Sequence, residues 1–342
     1  YKTVCLIIRW IIKSPYGDMK QLYPELEPIA IHQLDRPGGH CIYVEQCGNP
    51  QGLPVIFLHG GPGSGCNANH RRYFNPDKYH IILFDQRGAG RSTPHGYLEQ
   101  NTIQALVQDM DAIRTHLNIG QWLLFGGSWG SALALLYAET YPQHISGLIL
   151  RGSFLARNRD LEWFIRQGAI NIFPDYWQKF CDAFAKHEQD DLISACYQAL
   201  LGNDADKRLA AAKAWANWGN RVVCNTQSEA SPSHEEDTKE NAEDIEKLIR
   251  RAALEMHYAI NHYFIADNQI LNNIERIPQV PVTLIHGRRD MICPVESSWL
   301  LHQALPQLTV KILANTGHLL SKPTMIDALL SASGSMIDII AR

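Results

Sequence analysis

The sequence predicts an α/β fold: a mostly parallel sheet with helices on both faces, interrupted by an inserted helical segment. Three observations carry this. Short apolar, β-branched runs alternate with segments of helical period. The later runs are apolar at almost every residue, as strands buried on both faces of a parallel sheet must be. The alternation stops near Ser153 and resumes near Pro281, with Trp-, Ala- and Gln-rich helical sequence between.

Taken in order, residues 1–18 come first. Their apolar stretch Val4–Ile12 is split by Arg9 and closed by Lys13, and it has no small-residue cleavage site. That is a poor export signal. We expect an unfolded N-terminal extension here, with ordinary globular sequence starting at Met19. Eight strands are expected, over Ile29–Leu34, Cys41–Glu45, Val55–His59, Ile81–Asp85, Trp122–Gly126, Gly147–Arg151, Val282–His286 and Val310–Leu313. Thr102–Leu117 and Ser131–Thr140 read as helices between strands. The insertion reads as helices over Leu161–Ile172, Tyr176–His187, Leu192–Leu201, Lys207–Trp218 and Asp244–Tyr263. Within it, Ser228–Glu246 is polar and acidic, a solvated loop and helix start. The expected organisation is a core of residues 19–152 and 277–342, with a helical cap of residues 153–276.

Composition narrows the function. The chain has 342 residues, 45% of them hydrophobic and 19% charged. Lys plus Arg is 31 against 35 for Asp plus Glu, a net charge of −4, which argues against a general nucleic-acid binder. No apolar run approaches the roughly 20 residues of a membrane helix. Eight scattered cysteines, none in a C-x-x-C pair, read as reduced thiols of a cytoplasmic protein rather than a disulfide framework or zinc site. His257 and His262, five residues apart, do not share a helix face and are expected to pack, not to bind metal.

The sharpest motif is Gly126-Gly127-Ser128-Trp129-Gly130-Ser131, between an apolar strand and an Ala/Leu-rich helix. A sharp turn there projects the Ser128 hydroxyl, and the helix N-terminus favours developing negative charge. A nucleophilic serine needs a base and an orienting acid. Asp290 follows the strand Val282–His286, and His318 follows Val310–Leu313. Both stand where open α/β sheets place their sites, at the carboxyl ends of strands. Ser128, His318 and Asp290 are therefore expected as nucleophile, base and orienting acid. His59-Gly60-Gly61-Pro62-Gly63 follows the strand from Val55. Its Gly61 amide and the Trp129 amide are the expected oxyanion donors. Asp85 and Arg87 are read as structural, ordering the turn after Phe84 through charge-assisted hydrogen bonds.

Together these motifs resemble the prolyl aminopeptidases (proline iminopeptidases), serine peptidases of the α/β-hydrolase fold. The resemblance runs over nearly all of residues 19–340 and includes Arg151-Gly152-x-Phe154, Ala212-x-x-x-Trp215-x-x-Trp218, Asn261-His262-Tyr263-Phe264 and His286-Gly287-Arg288-x-Asp290. It implies an eight-stranded, mostly parallel sheet with a helical cap, release of N-terminal proline from small peptides, no metal or cofactor, and a cytosolic location. It also implies that Phe154 and Phe164 line an apolar proline pocket.

The chain departs from that family at two places. Members carry two cap glutamates that hold the substrate's charged imino group. One follows the second Trp of W-x-x-W, where this chain has Gly219; the other precedes N-H-Y-F, where it has Ile260. On a continuous helix Glu255 would point about 140° away from Ile260, whereas Asp267 would come within about 20° of its face. Asp267 is accordingly the expected replacement, with Asp160 and Glu162 as further candidates. The leading expectation is a proline aminopeptidase. The alternative is an esterase or amidase for a neutral acyl group, motivated by Gly219 and Ile260; a non-catalytic protein on the same fold comes third. A serine at the elbow argues against dehalogenase or epoxide hydrolase chemistry, which uses aspartate.

Overall fold

The computed structural model of the chain describes residues 19–224 and 241–341. The expected extension and most of the acidic stretch 228–246 therefore lie outside the described residues. Eight strands form one sheet: β1 (Ala30–Arg36), β2 (His40–Gly48), β3 (Leu53–Leu58), β4 (Tyr79–Phe84), β5 (Trp122–Ser128), β6 (Ile145–Ser153), β7 (Val282–Gly287) and β8 (Leu308–Leu313). Their order is β1-β2-β4-β3-β5-β6-β7-β8. The β1–β2 and β2–β4 pairs are antiparallel, and every other pair is parallel. This is the mostly parallel α/β sheet that the alternating pattern predicts, in the α/β-hydrolase arrangement that the resemblance implies.

Strands β4 and β5 are buried along almost their whole length, because helices cover both faces. On one side lie α1 (Ile103–His116) and α2 (Trp129–Thr140), packed into a core that includes Met110, Trp122, Leu124 and Leu133. Helix α1 starts where Thr102 accepts a hydrogen bond from the Ala105 amide. The other side is closed by Met325, Leu329 and Met336 of the last helix, Pro323–Ile340, packed on Phe57, Leu83 and Phe125.

Between β6 and β7 lie the short α3 (Asn158–Glu162) and α4 (Ala169–Ile172), then α5 (Pro174–Cys181), α6 (Leu192–Leu201), α7 (Ala205–Cys224), α8 (Ala242–Ile260) and α9 (Gln269–Asn272). Helices α4 to α8 share their own apolar cluster, with Phe180, Cys196, Trp218 and Met256 buried in it. The structure corrects three expected helices, of which Tyr176–His187 ends early, at Cys181. Leu161–Ile172 is not one helix: a wider turn occupies Trp163–Gln167, and a side chain at Gly168 would overlap the Trp163 ring. Asp244–Tyr263 stops early, at Ile260, because His262, Tyr263 and Phe264 all take positive φ (48°, 55° and 60°).

The charged turn after β4 is structural, as expected, although its partners differ. Asp85 accepts from the Arg91 amide and Nε, while Arg87 forks onto Asp109. His257 and His262 make hydrogen bonds to Asn101 and Asn158 respectively.

Candidate active site

Strand β5 runs straight into α2 through Ser128, whose φ of 55° and ψ of −125° are sparsely populated for a residue with a side chain. The flanking glycines make this turn possible. A Cβ at Gly126 would overlap the Gly130 carbonyl, and one at Gly130 would overlap the Leu58 carbonyl. The backbone thus stands where side chains would otherwise be, and Ser128 is left at the head of α2.

The loop after β3 lies against this turn. An added Cβ at Gly60 would sit in van der Waals contact with Ser128 Cβ, at 3.8 Å. Gly61 has φ +119°, and a Cβ there would lie 2.6 Å from the Gly63 nitrogen. Buried polar groups tie the loop to the elbow. His59 Nε2 accepts from the Gln86 amide at 3.0 Å; the Gln86 side chain donates to the His59 carbonyl and accepts from Trp129 Nε1 at 2.8 Å. Burial lowers the His59 pKa, which favours the neutral ring that this acceptor role requires.

At the far side, His318 Nδ1 donates to Asp290 Oδ2 at 2.7 Å. Asp290 is buried, and its other oxygen accepts from the amides of Ile292 and Cys293 at 3.0 and 2.8 Å. Burial by itself would raise the Asp290 pKa. The charge and hydrogen bond of His318, the nearby His286 and the Cys293 amide outweigh it, and the net shift is downward. His286 donates through Nε2 to the Cys293 carbonyl, so its Nδ1 accepts from Ser298. Cys293 lies between Asp290 and Ser128: its amide donates to Asp290, and its Sγ lies 3.9 Å from Ser128 Oγ.

Two residues at the end of β6 hold this pair in place. Arg151 is buried between Gly127, where a Cβ would meet its guanidinium at 2.7 Å, and the His318 carbonyl, to which it donates at 2.7 Å. Gly152 has φ +52°, and a Cβ there would lie 3.1 Å from Asp290 Oδ2 and 3.5 Å from His318 Nδ1.

A cavity of about 1250 Å³ opens above these groups; Ser128, Trp129, Gly61 and His318 line its floor. The cap forms the roof. Phe154 and Phe164 both line it, Phe154 edge-on to Tyr263 and Phe164 against Trp215 and Trp218. Asp160 also reaches the cavity but is paired with Arg157 at 2.6 Å.

Asp267 does not reach it. Because α8 ends at Ile260, the chain turns away, and Asp267 Oδ1 accepts the Asn158 amide instead. Glu162 is not among the lining residues either. A second carboxylate that lines the cavity is Glu255, which sequence reasoning set aside. Leu248, Arg251, Ala252, Glu255 and Ala259 form the cavity stripe of α8, whereas Ile260 packs into the cap cluster. Glu255 accepts from Trp215 Nε1 at 2.6 Å and from Arg251 Nε at 2.9 Å. The signal that could have found it is the helical recurrence of this stripe at 248, 251/252, 255 and 259, in steps of three or four. Gly219 lines the cavity too, and a Cβ there would meet nothing within 4 Å.

Residues 54–322 match the family model described as the alpha/beta hydrolase fold. A proline iminopeptidase of Xylella fastidiosa is 44% identical over 93% of this chain and all of that protein. The proline iminopeptidase of Arabidopsis thaliana is 40% identical over 94% of this chain and 83% of that protein. This chain belongs to the proline iminopeptidase family. Its fold is also that of the proline iminopeptidase-related protein of Thermus thermophilus, with a TM-score of 0.56 at 20% identity over 92% of this chain and 98% of that one. By family and fold the chain is an alpha/beta hydrolase. Among the described residues, no helix is long and apolar enough to cross a membrane.

Proposed function

We propose that this chain is a serine aminopeptidase that releases N-terminal proline from small peptides. In this reading Ser128 Oγ attacks the scissile carbonyl while His318 Nε2 takes its proton. Asp290, bonded to Nδ1, fixes the tautomer and stabilises the imidazolium. The Trp129 and Gly61 amides receive the oxyanion. His318 then protonates the departing peptide amine, leaving a prolyl ester on Ser128. Water, deprotonated by the same imidazole, cleaves that ester and frees proline.

One observation carries the specificity: Glu255 sits in the same cavity as Ser128, its carboxylate oriented by Trp215 beside the aromatic wall of Phe164 and Trp218. A charged imino nitrogen entering that cavity meets an anion, and a pyrrolidine ring meets aromatic faces. Glu255 thus takes the role first given to Asp267. Residues 153–276 act as the cap in this scheme. The seven cysteines among the described residues are all unpaired, which supports a reducing, cytoplasmic setting.

Gly219 favours a second reading, an esterase or amidase for neutral acyl groups, because it leaves part of the cavity without a side chain. The deciding experiment compares proline 4-nitroanilide, N-acetylproline 4-nitroanilide and a 4-nitrophenyl butyrate ester, with the wild-type protein and Ser128→Ala. Cleavage of the free-amine substrate that disappears in the variant is the expected result. Preference for the blocked amide or the ester would overturn the aminopeptidase reading.

A further inference from the structure

Among the described residues, the charges around the cavity do not balance at one end. Glu255 is matched by Arg251, and Asp160 by Arg157. Arg221 of α7 also lines the cavity, and its guanidinium stacks over the rings of Phe173 and Tyr176, at 4.9 and 4.8 Å from their centroids. Its Nε is fully buried and makes no hydrogen bond. Lys179 of α5, another lining residue, approaches the same Tyr176 ring at 4.9 Å. Two cations therefore share one aromatic ring, and no carboxylate among the described residues pairs with either. Cation–π contacts hold them in place but do not neutralise them. Like charges brought this close are unfavourable until an anion joins them.

The spacing indicates which anion. Trp215, which orients Glu255, and Arg221 are six residues apart on α7, roughly 9 Å along its axis. An extended peptide spans about 3.3–3.6 Å per residue. A chain of about three residues thus has the length to place its amine at Glu255 and its terminal carboxylate at Arg221. We propose that Arg221 and Lys179 form a subsite for the C-terminal carboxylate of short peptides, so that the enzyme prefers zwitterionic di- and tripeptides to longer chains. This rests on the aminopeptidase reading, in which Glu255 receives the substrate amine.

The test compares Pro-Gly-Gly as free acid and as C-terminal amide, and the same pair for Pro-(Gly)5, with proline 4-nitroanilide alongside. The expected wild-type ratio of kcat/KM, acid over amide, is about tenfold for the tripeptide, the scale of one partly exposed charged hydrogen bond. It falls towards one for the longer peptide. In Arg221→Gln and Lys179→Gln the tripeptide ratio collapses through KM, and Arg221→Lys keeps part of it. A variant that folds poorly lowers acid and amide together and leaves their ratio at the wild-type value, and the wild-type ratio tests the proposal without any variant. A wild-type ratio of one at both lengths overturns the subsite. So does a ratio indifferent to both charge-removing variants, or Pro-Asp-Gly amide cleaved as fast as the free acid Pro-Gly-Gly. Failure on proline 4-nitroanilide as well would instead refute the aminopeptidase reading itself.

Discussion

Replacing Glu255 by Gln tests the site most directly. The substitution keeps the size of the side chain and an oxygen for Trp215 Nε1, and it removes only the charge. Its structural cost is small. The Arg251 partner is 56% exposed, and such helix pairs contribute about 0.3–0.5 kcal/mol. The effect on substrate is larger, because the Glu255 side chain is only 17% exposed. At about 4 Å and an effective dielectric constant near 20, a carboxylate attracts an ammonium by about 4 kcal/mol. Desolvating the ammonium takes back part of that. The net loss should fall in the range of about 1.5–3 kcal/mol measured for hydrogen bonds to charged groups. This corresponds to a fall of about 10–150-fold in kcat/KM for proline 4-nitroanilide. The neutral ester is the control and should change by less than about threefold, a margin of about 0.6 kcal/mol. Equal losses on both substrates, or a variant that retains more than a third of its activity on the proline amide, would refute the assignment.

Other perturbations probe the machinery around it. Gly152→Ala places a methyl group 3.1 Å from Asp290 Oδ2 at a φ of +52°. The left-handed backbone alone costs about 1–2 kcal/mol, so melting temperature and kcat should both fall. Gln86→Ala leaves Trp129 Nε1 and the His59 carbonyl without their partner. It should cost about 1–3 kcal/mol in urea unfolding and lower kcat more than it raises KM. Burial raises the Glu139 pKa to about 8, so the folded protein binds a proton there that the unfolded chain releases near pH 4.5. Its contribution is present in full below pH 4.5 and is lost as pH rises through 8. Glu139→Gln should therefore flatten the decline of melting temperature between pH 5 and 8, and an unchanged slope would refute this.

The chemistry was more legible in the sequence than the recognition, and the reason is physical. Gly126, Ser128 and Gly130 are read from one strand–turn–helix, where every constraint is local. Asp290 and His318 follow strands whose apolar runs announce them, and a parallel sheet brings such loops to one edge. The position of the substrate-facing carboxylate depends on something else: which face of α8 the neighbouring helices leave uncovered. Counting from Ile260 assumed that this residue faced the cavity. It faces the cap cluster instead, and the stripe through Glu255 is turned inward. The early end of α8 was hidden as well, since His262, Tyr263 and Phe264 adopt positive φ without a glycine to mark the turn. Arg221 and Cys293 gave no signal, because their roles come from partners distant in the chain.

The floor and roof of the cavity differ in how they meet a mutation. On the floor, Gly126 and Gly130 abut backbone atoms so closely that even one methyl group is refused, and Gly152 is crowded by Asp290. On the roof, Gly219 faces open space, and a Cβ added there meets nothing within 4 Å. Substitution is thus restricted at the elbow beneath the cavity and less restricted at Gly219 in its roof. In the proposed scheme, substitutions in the roof can alter which substrates fit while the elbow beneath stays intact.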